Sequence, residues 1–312
     1  MADLEIGPDA GRLVIAGAAA PRLEFGFSLG FSLYQYVMGV ARSVLPGGGQ
    51  APIDDRLLAA AAKLSALYSP LGPLNYFEFA MLSSRSVAEL AEGLQARTTE
   101  FATALPAALQ EVEQLYRENL WPRHRALLAE AAGELERLLG PAKDRLLHLH
   151  ATRLGVAPAG LCFQVTLVPE IHEPTGAYSH PTVVSVGRFR GLRLVETVLH
   201  ELGHVMARHD PGPGSAYGAI RAACQRRRRS DRDAFQLFHL LLFHASGVLV
   251  REELSPGYVT FASEVGMYQR IASALQARLA PDTVERAWSA WTSGDRPLAA
   301  AMQELVDGVS WA

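Results

Sequence analysis

Lysine is nearly missing from this chain: Lys63 and Lys143 stand against many arginines, a mark of GC-rich codon usage with no bearing on mechanism. Cysteine is as scarce. Cys162 and Cys224 are too few and too far apart for a disulfide framework or a Cys-x-x-Cys metal site. Neither sign of charge dominates, and a formal net charge of -3 leaves no electrostatic footprint for nucleic acid or an acidic lipid surface. The arginine run Arg226 to Arg229 is followed by Asp231 and Asp233, so it reads as a solvated loop before a helix. Residues 1–20 carry Asp3 and Glu5 and lack a basic stretch, so the apolar patch Leu13 to Ala20 does not read as a secretion signal, and a cytoplasmic location is expected. The longest apolar run, Leu237 to Val250, contains His239 and His244 and is shorter than the roughly 20 residues that span a bilayer. It is expected to be a buried helix. Neither a membrane nor a nucleic acid is an expected partner, and nothing indicates the oligomeric state.

With 312 residues and 49% hydrophobic composition, the chain can bury a sizeable core. Two regions are expected. Residues 1–154 read as mostly helical after a possible N-terminal β-hairpin: Leu13, Ile15, then Phe25, Phe27, Leu29, Phe31 and Leu33 alternate as in a half-buried strand. Pro46-Gly47-Gly48-Gly49 breaks the chain, and from Ile53 to Leu154 the composition is helical. Further breaks are expected at Ser69-Pro70, Gly72-Pro73, Trp121-Pro122 and Gly140-Pro141. Residues 155–312 open with two strands, about Leu161 to Leu167 and Thr182 to Val186, around a polar loop holding Tyr178 and His180. Helices then follow at Gly191 to His209, Asp231 to Val250, Phe261 to Ala280, Asp282 to Trp291 and Pro297 to Val306. Asp282 with Glu285 gives the fourth of these a capping-box-like start. The fold class is therefore mainly α, of α+β type.

One motif carries chemistry. His200 and His204 in His200-Glu201-Leu202-Gly203-His204 are four positions apart, so on a helix they stand one turn apart on one face and can point two imidazoles at one divalent ion. Val195, Val198, Leu199, Leu202, Val205 and Met206 form a separate apolar stripe that anchors the helix. Glu201 can hydrogen-bond a water on the ion without ligating it and accept its proton as that water attacks a carbonyl. Gly203 leaves room for a close neighbour.

From about Leu161 to Ala280 this arrangement resembles the zincin metallopeptidases, which place a small sheet before the motif helix and supply a third ligand from further on. The helical first half has no counterpart in the resemblance. It implies zinc as cofactor and hydrolysis of a peptide or other amide bond, with Glu201 as general base, in a cleft between the two regions. A metzincin-like third ligand would fall at Asp210, but Ala207 stands where the turning glycine belongs. A gluzincin-like site would take a glutamate from a later helix, and Glu264 fits, since helical spacing aligns it with Tyr268, Ile271 and Leu275 on an apolar face. His244, within the apolar run, competes with Glu264, because a neutral imidazole costs less to bury than a carboxylate. Tyr258 and Tyr268 are candidate donors to an oxyanion, and Tyr178 and His180 could lie beside a bound peptide. Cys162 precedes the motif as does the thiolate of peptide deformylases, but without that family's glycine-rich signature it reads as a small strand residue. Two other readings stand beside the zinc hydrolase. Iron(II) on the same histidine pair could support oxygen-dependent modification of a peptide or small molecule. Alternatively, the chain is a metal-free binding protein on a zincin-like scaffold.

Overall fold

The computed structural model describes residues 10–15, 22–41, 55–68, 82, 87–94, 100–158, 161–171, 176–179 and 181–311. The expected breaks at Pro46–Gly49, Ser69-Pro70 and Gly72-Pro73 lie outside them, as does His180. The fold is mainly helical with a small mixed sheet, as composition and patterning imply. It divides into two compact units, one of Met1–Ile15, Leu23–Glu136 and Gln164–Arg190, the other of Ala16–Arg22, Arg137–Phe163 and Gly191–Ala312.

In the first unit β1 (Ala10–Ile15) and β2 (Arg22–Ser28) form the expected antiparallel hairpin. The alternation that predicts a strand through Leu33 fails after Ser28, whose Oγ accepts the Phe31 amide at 3.2 Å, and the chain turns into α1 (Leu29–Ala41). A serine that satisfies the first free amides of a helix overrides a short run of period two. Helix α1 is buried along nearly its whole length. It packs with α2 (Asp55–Tyr68) and α4 (Glu100–Asn119), and α3 (Val87–Leu94) packs on α4. Helix α5 (Trp121–Leu139) begins at the expected Trp121-Pro122 break and stops before Gly140-Pro141. The sheet continues with β3 (Cys162–Val168), β4 (Ala177–Ser179) and β5 (Thr182–Ser185), in the order β1-β2-β3-β5-β4. β3 and β5 run parallel, with Thr166 opposite Val183, and β4 pairs antiparallel to β5. β4 forms where a polar loop is expected. Its Tyr178 hydroxyl accepts from Gln35 Nε2 on α1 at 2.7 Å, which occupies the residue inside this unit.

The second unit is a helical assembly around α9. Helix α6 (Lys143–Arg153) packs on α7 (Gly191–His209) and on α9 (Asp231–Glu253). A capping box between Ser230 and Asp233 starts α9. By length and composition α9 could cross a membrane, yet 72% of its most apolar window is buried inside the protein. Between them lies α8 (Ala216–Arg226), which the sequence patterning does not reveal; Ser215 caps it, accepting from the Gly218 amide. The arginine run at its end is tied down, with Arg226 on Gln303, Arg227 on Asp307 and Arg229 over the Trp311 ring.

The single helix expected from Phe261 to Ala280 is two, α10 (Phe261–Glu264) and α11 (Met267–Ala274). Gly266 separates them at φ +63, a left-handed conformation that glycine adopts without strain. β6 (Ala277–Arg278) follows and pairs with β7 (Ser310–Trp311) after α12 (Pro281–Thr292) and α13 (Leu298–Asp307). Helix α12 starts with Pro281 and no side-chain cap, so Asp282 and Glu285 form no capping box.

Candidate metal centre

Helix α7 holds the His-Glu-x-x-His run in its interior, with Leu194, Val195, Val198, Leu199, Leu202 and Met206 buried beneath it. His200 and His204 are themselves buried, and their ring centroids lie 4.9 Å apart, edge to face. Helix α9 comes unusually close at Gly203. A β-carbon there would lie 2.5 Å from Leu242 Cδ2 and 3.2 Å from His150 Nε2. Leu242 is three positions after His239, so the contact that needs the glycine also brings His239 against the histidine pair.

His239 Nε2 lies 3.0 Å from His200 Nε2, and the His239 ring is 4.9 Å from that of His200 and 5.0 Å from that of His204. One ring nitrogen from each of the three lies within 4.8 Å of the other two. Tetrahedral zinc with bonds of roughly 2.0–2.1 Å sets its ligand nitrogens about 3.4 Å apart, so the cluster has nearly the span the ion requires. Burial keeps all three imidazoles neutral: His204 is lowered to about 3 and His239 to about 4, and His200 falls well below its ordinary value. A neutral ring offers the lone pair a metal takes. His200 Nδ1 is buried with no hydrogen-bond partner, an unsatisfied atom beside two ring nitrogens that face one another.

Aromatic rings flank the triad. Phe235, His239 and Phe243 follow one another at four-residue spacing on α9; Phe243 stacks on His200 at 3.8 Å and Phe235 on His204 at 5.6 Å. Glu201, next in the chain to His200, is buried, and desolvation lifts its carboxyl to about 8 while the charge of Arg208, two turns on, pulls the other way. His150 on α6 supports the motif helix. Burial lowers it to about 4, and the neutral ring donates Nε2–H to the Leu199 carbonyl at 2.8 Å.

The other residues singled out from the sequence lie elsewhere. Glu264, on the short α10, is more than half exposed and pairs with Arg193, because the break at Gly266 leaves no continuous buried face to carry it inward. His244 is buried, five positions beyond His239 and so about 140° around the helix from it. Its Nδ1 accepts from the Tyr268 hydroxyl at 2.9 Å, and Nε2 faces Glu285 at 3.4 Å. Tyr258 donates to Glu196. Asp210 accepts from the Gly212 amide in the turn after α7, and Cys162 is exposed. Among the described residues the histidine pair is thus joined by His239, and neither Glu264 nor His244 belongs to the cluster.

Glu196 also escapes the sequence reading. It stands one turn before His200, is 1% exposed, and accepts from Tyr258 Oη and from the Phe261 amide at 3.0 and 3.1 Å. Its spacing of four from His200 is the only signal the sequence offers. The chain matches no family model, no curated protein and no solved structure.

Proposed function

We propose that the chain is a zinc-dependent hydrolase of peptide or other amide bonds, with His200, His204 and His239 as ligands and Glu201 as general base. The observation that carries this reading is the convergence of three imidazoles from two helices, on a motif whose glutamate is also buried. Zinc held by three histidines would supply a polarised water with a pKa near ~7 and a Lewis acid for the substrate carbonyl. The chain's own part is to hold the rings in place, through the Gly203–Leu242 approach and the stacked phenylalanines, and to present Glu201, which burial keeps protonated near neutral pH and which the charge of a bound ion would return to the carboxylate a general base needs. A third imidazole where iron(II) oxygenases use a carboxylate favours zinc over the oxidative alternative. The zincin likeness is then confined to the motif helix, since His239 follows neither the metzincin spacing nor the gluzincin glutamate.

The test is Glu201→Gln in the zinc-loaded protein. Zinc content is expected to stay at one ion per chain while hydrolysis of a peptide library falls by about 10²- to 10⁴-fold. Undiminished hydrolysis would remove Glu201 from its role, and purified protein that takes up no zinc would remove the metal.

A further inference from the structure

Two large apolar side chains are exposed among the described residues of the second unit, Phe235 at 42% and Val259 at 61%. They connect to the histidine cluster through different rings. Phe235 stacks on His204. Val259 is two positions before Phe261, whose ring lies 5.7 Å from Phe243, which in turn covers His200. A series of apolar groups therefore runs from Phe235 past His239 to Phe243, Phe261 and Val259. Beside Phe261 the charge is paired: Arg193 lies 4.8 Å over that ring and is bridged to Glu264. Phe235 and Phe243 sit one helical turn, about 6 Å, to either side of His239, a rise that an extended chain covers in about two residues.

We propose, on the hydrolase reading above, that this strip binds large apolar side chains on both sides of the bond presented to the histidines, with Phe235 forming one subsite and Phe261 with Val259 the other. The preferred substrate is an extended peptide or amide flanked by aromatic or branched aliphatic groups, and charged residues at those places are disfavoured. Phe243 is wall more than subsite, being stacked flat on His200, whereas Phe235 and Val259 leave their surface free.

Binding of a zinc-chelating probe separates this proposal from the reaction itself. Zinc-loaded protein is titrated calorimetrically with hydroxamates that carry a hydrogen or a benzyl group beside the chelating end. The benzyl compound is expected to bind at least tenfold more tightly. Phe235→Ser and Val259→Ser, made separately and together, are expected to cut that preference below threefold, with zinc content measured in parallel. Equal affinity of the two probes for the wild-type protein overturns the subsites and leaves the metal reading standing, as does a preference that survives the double variant. If neither hydroxamate binds the zinc-loaded protein, the ion has no open position for a substrate, and the hydrolase reading falls with the subsites.

Discussion

Gly203 and Leu242 approach so closely that a β-carbon on the glycine would lie 2.5 Å from the leucine Cδ2. The glycine inside the histidine motif thus sets how near α9 comes to α7, and with it whether His239 meets His200. Gly203→Ala is expected to push α9 outward and weaken zinc binding by tenfold or more, while helical content stays native. Competition with a chromogenic chelator measures the affinity, and an unchanged value would show that the leucine simply yields.

Removing each candidate ligand in turn discriminates between them. His239→Ala is expected to abolish stoichiometric zinc, because it deletes one of three converging nitrogens. Glu264→Ala removes an exposed ion pair and should leave zinc content and stability almost unchanged. His244→Ala empties a buried site between Tyr268 and Glu285, so it should lower the melting temperature and spare the zinc. Metal analysis of the three purified variants reads all of this. Loss of zinc from the Glu264 or His244 variant alone would reverse the assignment.

Glu196 holds the start of α10 through the Tyr258 hydroxyl and the Phe261 amide. Gly247 makes room for it, since a β-carbon there would lie 2.8 Å from Glu196 Oε1. Truncation to Glu196→Ala leaves a half-buried amide and hydroxyl unsatisfied and should cost about 2 kcal/mol, at about 1 kcal/mol per group, the low end of the usual penalty because neither is fully buried. Tyr258→Phe should cost about 1 kcal/mol. Urea denaturation checks both, and a Glu196→Ala protein as stable as the wild type would refute the role.

Stability should also fall in mild acid through His124 in the first unit. That ring is buried against Tyr116, whose hydroxyl is 2.8 Å from Nδ1, and burial lowers its pKa to about 4, with the charge of neighbouring Arg123 adding to the shift. The unfolded chain takes up this proton near pH 6.5 and the folded chain near 4. The histidine's contribution is therefore complete above 6.5 and is lost progressively down to 4, up to about 3 kcal/mol in all. His124→Gln removes the titrating group, and the slope of stability against pH between those limits should flatten. An identical slope in the variant would exclude His124 as a source.

The histidine pair was legible in the sequence because four-residue spacing on one helix is a local property. The helical texture and the N-terminal hairpin were legible for the same reason, down to the limits of α7. His239 was not, although it lies in the same apolar run as His244. Burial of the surroundings fits His244 as well as His239, but direction around the helix decides which ring meets the pair, and that direction depends on how α9 lies against α7. The run Phe235, His239, Phe243 held a usable hint, since its spacing marks one face, whereas His244 falls off it. Glu264 failed through Gly266: a single left-handed residue divides the helix on which its alignment with Tyr268 rests.

The contact between His200 and His239 joins positions 39 residues apart. On the zinc reading it is a removable clasp between two helices that also meet at the Gly203–Leu242 approach. Each tenfold rise in free zinc above the dissociation constant would add about 1.4 kcal/mol to the folded state, so the cell's zinc supply would set the lifetime of the protein as well as its activity.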